Sequence, residues 1–103
     1  MILKRADIAD PMPPEEAVAV GSLGGEVIVK GLLLSERLQM AIDETLSGPG
    51  RCAEILARCV LADDRKPLFT AQQWEAFGAR HYDEALELFA VAHRLSGLGE
   101  QKN

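Results

Sequence analysis

Apolar residues recur at helical spacing in two central segments of the chain. Residues 36–46 follow Ser35, a favourable N-cap residue, and carry an apolar stripe made of Leu38, Ala41, Ile42 and Leu46. Residues 51–61 come after a Gly-Pro-Gly break and place on one face Cys52, Ile55, Leu56, Cys59 and Val60. The pattern predicts two amphipathic helices, and the stripe of the second helix should lie in the core.

The segment before these helices has the pattern of two strands. Two short runs rich in Val and Ala, at 17–20 and 26–31, flank a Gly-rich stretch, which predicts a β-hairpin over residues 17–31. In the second run Val27 and Val29 share one face and should be buried. Because an isolated hairpin is only marginally stable, it must pack on the helices or pair with another copy, so a homo-oligomer is one expectation.

The two ends of the chain have little to bury. Pro11, Pro13 and Pro14 disfavour regular hydrogen bonding, so residues 1–16 are predicted to be an extended N-terminal arm. Residues 99–103 are polar and are predicted to be a frayed tail. These limits leave residues 17–98 as a single domain.

The most specific local chemistry begins a third helix, over residues 71–78. Thr70 and Gln73 have the spacing of a capping box, and Phe69 is placed to pack on Trp74 as a hydrophobic staple. Gly78 is a suitable helix stop. Since the staple gives both aromatic residues a structural role, we favour that role over a binding hot spot.

A fourth helix is predicted over residues 82–98. Its apolar stripe is made of Ala85, Leu88, Phe89, Ala92 and Leu95, and Leu86 and Ala90 broaden it. This surface is wide enough to face two neighbours. With the hairpin, the segments predict an α+β fold in which a β-hairpin precedes a small bundle of about four helices.

Composition and charge narrow the function classes. Hydrophobic residues make up 48% of the chain and charged residues 26%, as in folded soluble domains. The net charge is −5 and no long basic run occurs, which argues against nucleic acid as a partner. No apolar run approaches the length of a membrane span and no signal sequence opens the chain, so a cytoplasmic location is expected, with no membrane partner.

The cysteines and histidines do not have the spacing of a catalytic or metal site. Cys52 and Cys59 would lie about 10 Å apart along one helix, beyond the roughly 7 Å limit for a disulfide. Together with His81 and His93 they lack the paired spacing of zinc ligands, and neither thiol has the local sequence of a nucleophile. We therefore expect reduced core thiols, no cofactor, no metal and no catalytic residue.

Three short motifs, in this order of elements, resemble those of the tail assembly chaperones of long-tailed bacteriophages and prophages. They are Gly31-Leu32 after the hairpin, the junction Asp63-Asp64-Arg65-Lys66-Pro67-Leu68-Phe69-Thr70, and Arg94-Leu95-Ser96-Gly97-Leu98. In that family a D-G-K-P-L-F-[ST] turn leads into a short helix, and R-L-[SN]-G-L closes the last one. Here Arg65 replaces the family's Gly, so a positive φ is not expected at this turn.

The resemblance implies a non-enzymatic protein of the host bacterial cytoplasm that binds the tape measure protein and helps recruit the major tail protein. It also implies absence from the mature virion. A structural head-tail connector or tail-completion protein is the alternative. From the apolar pattern, the candidate partner-binding residues are Leu32, Leu33, Leu34, Leu86, Ala90 and Leu98. The junction made of Lys66, Pro67, Leu68, Phe69, Thr70, Gln73 and Trp74 is expected to have a structural role, namely to orient the third helix.

Overall fold

A computed structural model of the chain describes residues 1–8, 11–43 and 48–97. Within these ranges the fold is α+β, with a three-stranded antiparallel sheet and four α-helices, which confirms the predicted class. The strands are β1 (Glu15–Val20), β2 (Gly25–Lys30) and β3 (Val60–Leu61). The helices are α1 (Leu34–Ile42), α2 (Gly48–Cys59), α3 (Ala71–Arg80) and α4 (Tyr82–Leu95).

The predicted hairpin forms β1 and β2, and β2 is the central strand of the sheet. Val18 lies opposite Val27, and both Val27 and Val29 are buried as predicted. Strand β1 starts at Glu15, two residues before the predicted start, because the Gly31 amide donates to the Pro14 carbonyl (3.0 Å) and extends the pairing. The predicted arm is therefore too long by two residues, and near its start Arg5–Asp7 forms a 3-10 turn.

The helix predicted over residues 51–61 is wrong at both ends. Helix α2 begins at Gly48, and the chain leaves it after Cys59 to form β3. Val60 pairs with Val29 and Leu61 pairs with Ile28, which completes the sheet. A short buried apolar run fits a strand as well as a helix turn, so periodicity could not separate the two.

Helix α1 begins earlier than predicted, with Leu33 rather than Ser35 at its N-cap. The Glu36 carboxylate accepts the Leu33 amide (2.8 Å) and pairs with the Lys30 ammonium (2.9 Å), so a side chain inside the first turn satisfies the helix start. The helix ends at Ile42 instead of residue 46. Leu46 lies outside the described residues.

The last two helices meet at a single residue. Helix α3 continues past Gly78 to Arg80, contrary to the predicted stop, and His81 closes it by donating its amide to the Phe77 carbonyl (2.8 Å). Helix α4 ends at Leu95 rather than at residue 98, and Gly97 follows with a φ of +75°. Leu98 and the predicted tail at 99–103 are outside the described part of the chain.

The core lies between one face of the sheet and the helices. Helices α2 and α4 pack on β2, and α3 packs across α2 and α4 on the far side. The most deeply buried large side chains are Trp74, Leu56, Leu88, Val20, Val29 and Val60. Helix α1 makes far fewer contacts with the rest of the fold, and only Met40 of its side chains is buried.

Candidate partner-binding site

The junction at residues 66–70 is architectural. The Thr70 hydroxyl accepts the Gln73 amide (3.1 Å), and the Gln73 side chain accepts the Thr70 amide (2.9 Å), so the predicted capping box is present. The rings of Phe69 and Trp74 meet edge to face, 4.9 Å between centroids, which confirms the staple. Trp74 is 1% exposed, and its indole N–H has no acceptor among the described residues. Burial of this kind leaves Trp74 unable to act as a surface anchor.

The turn before this junction corrects one expectation. Arg65 has a φ of +64°, although a side chain at this position argued against a positive value. The Arg65 amide donates to the Ala62 carbonyl (2.9 Å), and the Ala62 amide donates to the Lys66 carbonyl (2.9 Å). These two bonds describe a turn followed by a left-handed residue, a common three-residue hairpin loop. The loop geometry imposes the positive φ, and the Arg65 guanidinium pairs with the Glu15 carboxylate.

Two motif segments that are far apart in sequence meet in the structure. The Ser96 hydroxyl accepts the Leu32 amide (2.9 Å) and donates to the Ala92 carbonyl (2.7 Å). Gly31 lies against the end of α4, where a side-chain Cβ would come within 2.5 Å of the Leu95 carbonyl oxygen. The strand-to-helix connection is therefore attached to the C-terminal end of α4.

The candidate partner-binding residues divide between two surfaces. Leu32 is half-buried against the core, whereas Leu33 is 46% and Leu34 is 75% exposed. Leu86 is 41% exposed on the outer side of α4, where Ala90 is also exposed. Leu33 is the N-cap of α1 and Leu34 is its first residue, whereas Leu86 lies beside α3. The sixth candidate, Leu98, is outside the described residues.

Helix α1 carries an exposed apolar row that joins Leu34, a candidate partner-binding residue, to two residues of the apolar stripe predicted for this helix. Leu34, Leu38 and Ile42 recur every four residues and are 75%, 55% and 76% exposed; we call these three residues the α1 stripe. Two polar side chains of α1 contact the rest of the fold: Glu36 pairs with Lys30, and Gln39 accepts from Arg58 (3.2 Å). Sequence spacing identified the stripe but not the side on which the helix would dock.

A groove opens between α1, α2 and α4, beside the α1 stripe. We call it the α1 groove; its volume is about 500 Å³. Its lining residues are Leu32, Arg37, Met40, Ala41, Gly48, Arg51, Cys52, Ile55, Phe89 and His93. Ala41 is three residues after Leu38, so it connects the groove to the stripe on one helix surface. Together they form a continuous apolar surface on one side of the molecule.

The charged side chains that line the α1 groove within the described ranges are two arginines. Arg37 is exposed and has no ion-pair partner among the described residues, and Arg51 donates to the Met40 carbonyl (2.6 Å). The His93 ring stacks on Phe89, with 5.4 Å between centroids. None of the described residues that line the groove is Asp or Glu. An acidic protein therefore has a locally basic rim around this apolar floor.

A second groove, of about 510 Å³, lies between α2, α3 and α4. We call it the α3 groove; Leu86 and Tyr82 lie at its edge, and Leu56, Trp74 and Ala85 form its floor. Its charged lining residue is Glu75 rather than a cation. Cys52 lines both grooves, so α2 separates the two surfaces.

The thiols lie in apolar surroundings. Both cysteines are free, and Cys59 is completely buried while Cys52 is half-buried. Burial raises the pKa of the Cys59 thiol to about 11. Burial also raises the pKa of Cys52, with a smaller contribution from the Glu75 carboxylate. Among the described residues no group of three His, Cys, Asp or Glu side chains is arranged to hold a metal ion.

Within the described ranges, every helix is too short or too polar to cross a bilayer. The chain matches none of the protein families, curated proteins or solved structures with which it was compared. The site is thus defined by its geometry: an apolar helix row, an adjoining groove and a basic rim.

Proposed function

We propose that this protein is a tail assembly chaperone of a long-tailed phage or prophage, and that it binds apolar helical segments of the tape measure protein. The observation that carries the proposal is the α1 stripe, three large apolar side chains exposed beside an apolar groove. Contiguous apolar surface of this kind marks an interaction site on a small domain. The motifs at residues 31–32, 63–70 and 94–98 supply the family resemblance.

The shape of the surface favours a helix as the bound element. Helix α1 is about 13 Å long, so its stripe spans a little more than two helical turns. Amphipathic helices bind by placing apolar residues at i, i+3, i+4 and i+7 into a groove of this type. A tape measure protein, rich in long apolar helices, has many such segments before the tail is built around it.

The remaining parts of the proposal come from the resemblance. The chaperone acts in the host bacterial cytoplasm, helps recruit the major tail protein, and is left out of the mature virion. Binding and release are its whole activity, so no catalytic group or cofactor is invoked.

Coexpression tests the proposal directly. The tape measure protein encoded by the same phage is produced with the wild-type chain, with the double variant Leu34→Gln/Leu38→Gln, or alone. We expect the wild type to keep the tape measure protein soluble and the double variant to lose most of this effect. Ala76→Gln, an exposed change on α3, is the matched control and should behave as wild type. Equal solubility of the tape measure protein with and without the wild-type chain would contradict the proposal.

Purified virions provide a second test. The chaperone proposal expects the chain to be absent from finished particles, by mass spectrometry. A stoichiometric amount in virions would favour a head-tail connector or tail-completion protein instead.

A further inference from the structure

The charge around the α1 groove differs in sign from that of the whole molecule. The chain has a net charge of −5, yet among the described residues the charged or ionisable side chains that line the groove are Arg37, Arg51, Cys52 and His93. Among the described residues, the acidic side chains on α1 and directly after it do not line the groove: Glu36 pairs with Lys30, and Asp43 follows the end of the helix. The groove thus combines an apolar floor with a rim that attracts negative charge.

The charged and ionisable side chains of the groove lie on its different walls, around the apolar surface. Arg37 lies on α1 beside Ala41 and one turn after Leu34, so its guanidinium borders both groove and stripe. Arg51 lies in the first turn of the facing helix α2, and its guanidinium is held by a hydrogen bond to the Met40 carbonyl. His93 lies on α4, the third wall. The two arginines, on facing walls, place positive charge on two sides of an occupant, and the His93 ring forms part of the third wall.

We propose that the α1 groove and stripe bind an amphipathic helix whose apolar row is flanked by Asp or Glu side chains. The identity of the partner as a tape measure helix rests on the proposed function, whereas the acidic flanks rest on the charges of the groove. Rim charges of this kind set partner choice and association rate more than total affinity. The groove therefore selects among the apolar helices offered to it.

Charge argues against the chain's own N-terminal segment as the occupant. Residues 1–8 expose Met1, Ile2, Leu3 and Ile8, which makes them an apolar candidate. They also carry the α-amino group, Lys4 and Arg5 against one carboxylate, Asp7. A net positive segment is disfavoured beside Arg37 and Arg51, so a foreign acidic helix fits the groove better.

Two designed peptides test the inference on the full chain. Each is a helix of about 18 residues, roughly five turns, with Leu and Ala in an i, i+3, i+4, i+7 row. One has Glu at every position that flanks the row, and the other has Lys. Binding is measured by fluorescence anisotropy at low ionic strength and again near 1 M salt, where charges beyond about 3 Å are screened.

We expect the Glu peptide to bind roughly five- to tenfold more tightly than the Lys peptide, a size typical of a few exposed charge pairs. The difference should disappear at high salt. The substitution Arg37→Glu should weaken binding of the Glu peptide and strengthen binding of the Lys peptide. Lys66→Glu, which makes the same charge change at an exposed residue outside the groove, should leave the preference unchanged.

A second pair of variants locates the binding surface. Ala41→Gln and Ala79→Gln place the same neutral side chain at exposed helical alanines, one lining the α1 groove and the other the α3 groove. Ala41→Gln should reduce binding of the Glu peptide, and Ala79→Gln should not. The opposite result would place the site in the α3 groove and overturn the inference.

Other outcomes also overturn it, and they separate it from the proposed function. If the two peptides bind equally and Ala41→Gln abolishes their binding, the groove binds apolar helices but does not select them by charge. That result would contradict the inference and leave the proposed chaperone function in place. Binding of neither peptide would remove the inference alone, because tape measure solubility is measured independently. If light scattering shows a dimer that Ala41→Gln dissociates, the occupant of the groove is a second copy of the chain. Loss of the solubility effect, with the peptide preference intact, would instead contradict the function.

Discussion

Arg65 shows how the backbone of one loop overrides the preference of a residue. For any residue with a Cβ, the left-handed conformation costs roughly 1–2 kcal/mol of free energy. Arg65 adopts this conformation, with a φ of +64°. The loop tolerates this because two backbone hydrogen bonds close it and the Asp64 carboxylate accepts the Lys66 amide (3.0 Å). The family's Gly at this position would adopt the same conformation without the steric penalty.

Paired substitutions at Arg65 should reveal that penalty. Both Arg65→Gly and Arg65→Ala remove the exposed pair with Glu15, so their difference isolates the backbone term. We expect the Gly variant to be about 1 kcal/mol more stable than the Ala variant, measured by urea unfolding. An Ala variant as stable as the Gly variant would mean that the left-handed conformation is not adopted in solution.

At the scale of elements, the hairpin is attached to α4 at both ends. In the hairpin loop, the Ser22 amide and hydroxyl donate to the Glu84 carboxylate in the first turn of α4. At the other end, Leu32 donates to Ser96 and Gly31 contacts the Leu95 carbonyl. These contacts span more than 60 residues of sequence, and neither is visible as a local pattern.

The Glu84 contact should make stability depend on pH in the acid range. Hydrogen bonds from Ser22 lower the pKa of the Glu84 carboxyl below its ordinary value of 4.5, and the His81 ring contributes less. A lowered pKa in the folded state stabilises the fold above the ordinary pKa, and this contribution is lost as pH falls through the folded value. We expect wild type to exceed Glu84→Gln in stability at pH 7 and the difference to shrink below about pH 4.5.

Chemical unfolding of both proteins at pH 7 and near pH 3 measures this difference. Glu87→Gln on the exposed side of α4 is the matched control and should show a smaller change. A pH-independent difference between wild type and Glu84→Gln would contradict the assignment of the carboxylate to Ser22.

The close approach of Gly31 to α4 predicts an asymmetry between two glycines. An added Cβ at Gly31 would lie 2.5 Å from the Leu95 carbonyl oxygen and 3.1 Å from its carbon, and backbone atoms cannot move aside cheaply. Gly31→Ala should destabilise the protein by about 1–3 kcal/mol, the range typical of overpacking. Gly25→Ala, where nothing lies within 4 Å, should change stability by no more than about 0.5 kcal/mol. Equal thermal midpoints for the two variants would show that the strand connection is free to move away from α4.

At the scale of the whole molecule, α2 separates a packed side from an open one. The sheet, α2, α3 and α4 bury most of the large apolar residues, while α1 exposes its stripe and is attached mainly through polar contacts and Met40. These contacts include the bond from Arg51 to Met40 and the pair of Glu36 with Lys30. Of the four helices, α1 is the least packed and exposes the most large apolar side chains, and the proposed partner would contact this surface.

The two cysteines should differ in their reactivity because they differ in burial. We expect a thiol reagent at pH 8 to modify Cys52 slowly in the native protein and Cys59 only on unfolding. The pKa of about 11 leaves roughly a thousandth of Cys59 as thiolate at that pH, and the residue is fully buried. Mass spectrometry of the modified peptides distinguishes the two sites, and Cys52→Ala should abolish the native-state reaction. Equal rates at the two cysteines would contradict the packing of α2 against the sheet.

Much of the architecture could be predicted because its determinants are local. The Val27 and Val29 alternation specified the buried face of β2, and Thr70, Gln73, Phe69 and Trp74 specified the start of α3. Each of these devices acts within a few residues, so the pattern of side chains is sufficient to identify it. The α+β class followed from the same local patterns.

The candidate site depended on contacts that no local pattern contains. Val60 joined the sheet because β2 had a free edge, and α1 turned its stripe outward because Lys30, Arg51 and Arg58 engage its polar and backbone groups. The sequence by itself determined where the four helices lie, to within a few residues at their ends, and which rows on them are apolar. Only the tertiary structure decided which of those rows is buried, because burial depends on pairing between distant segments.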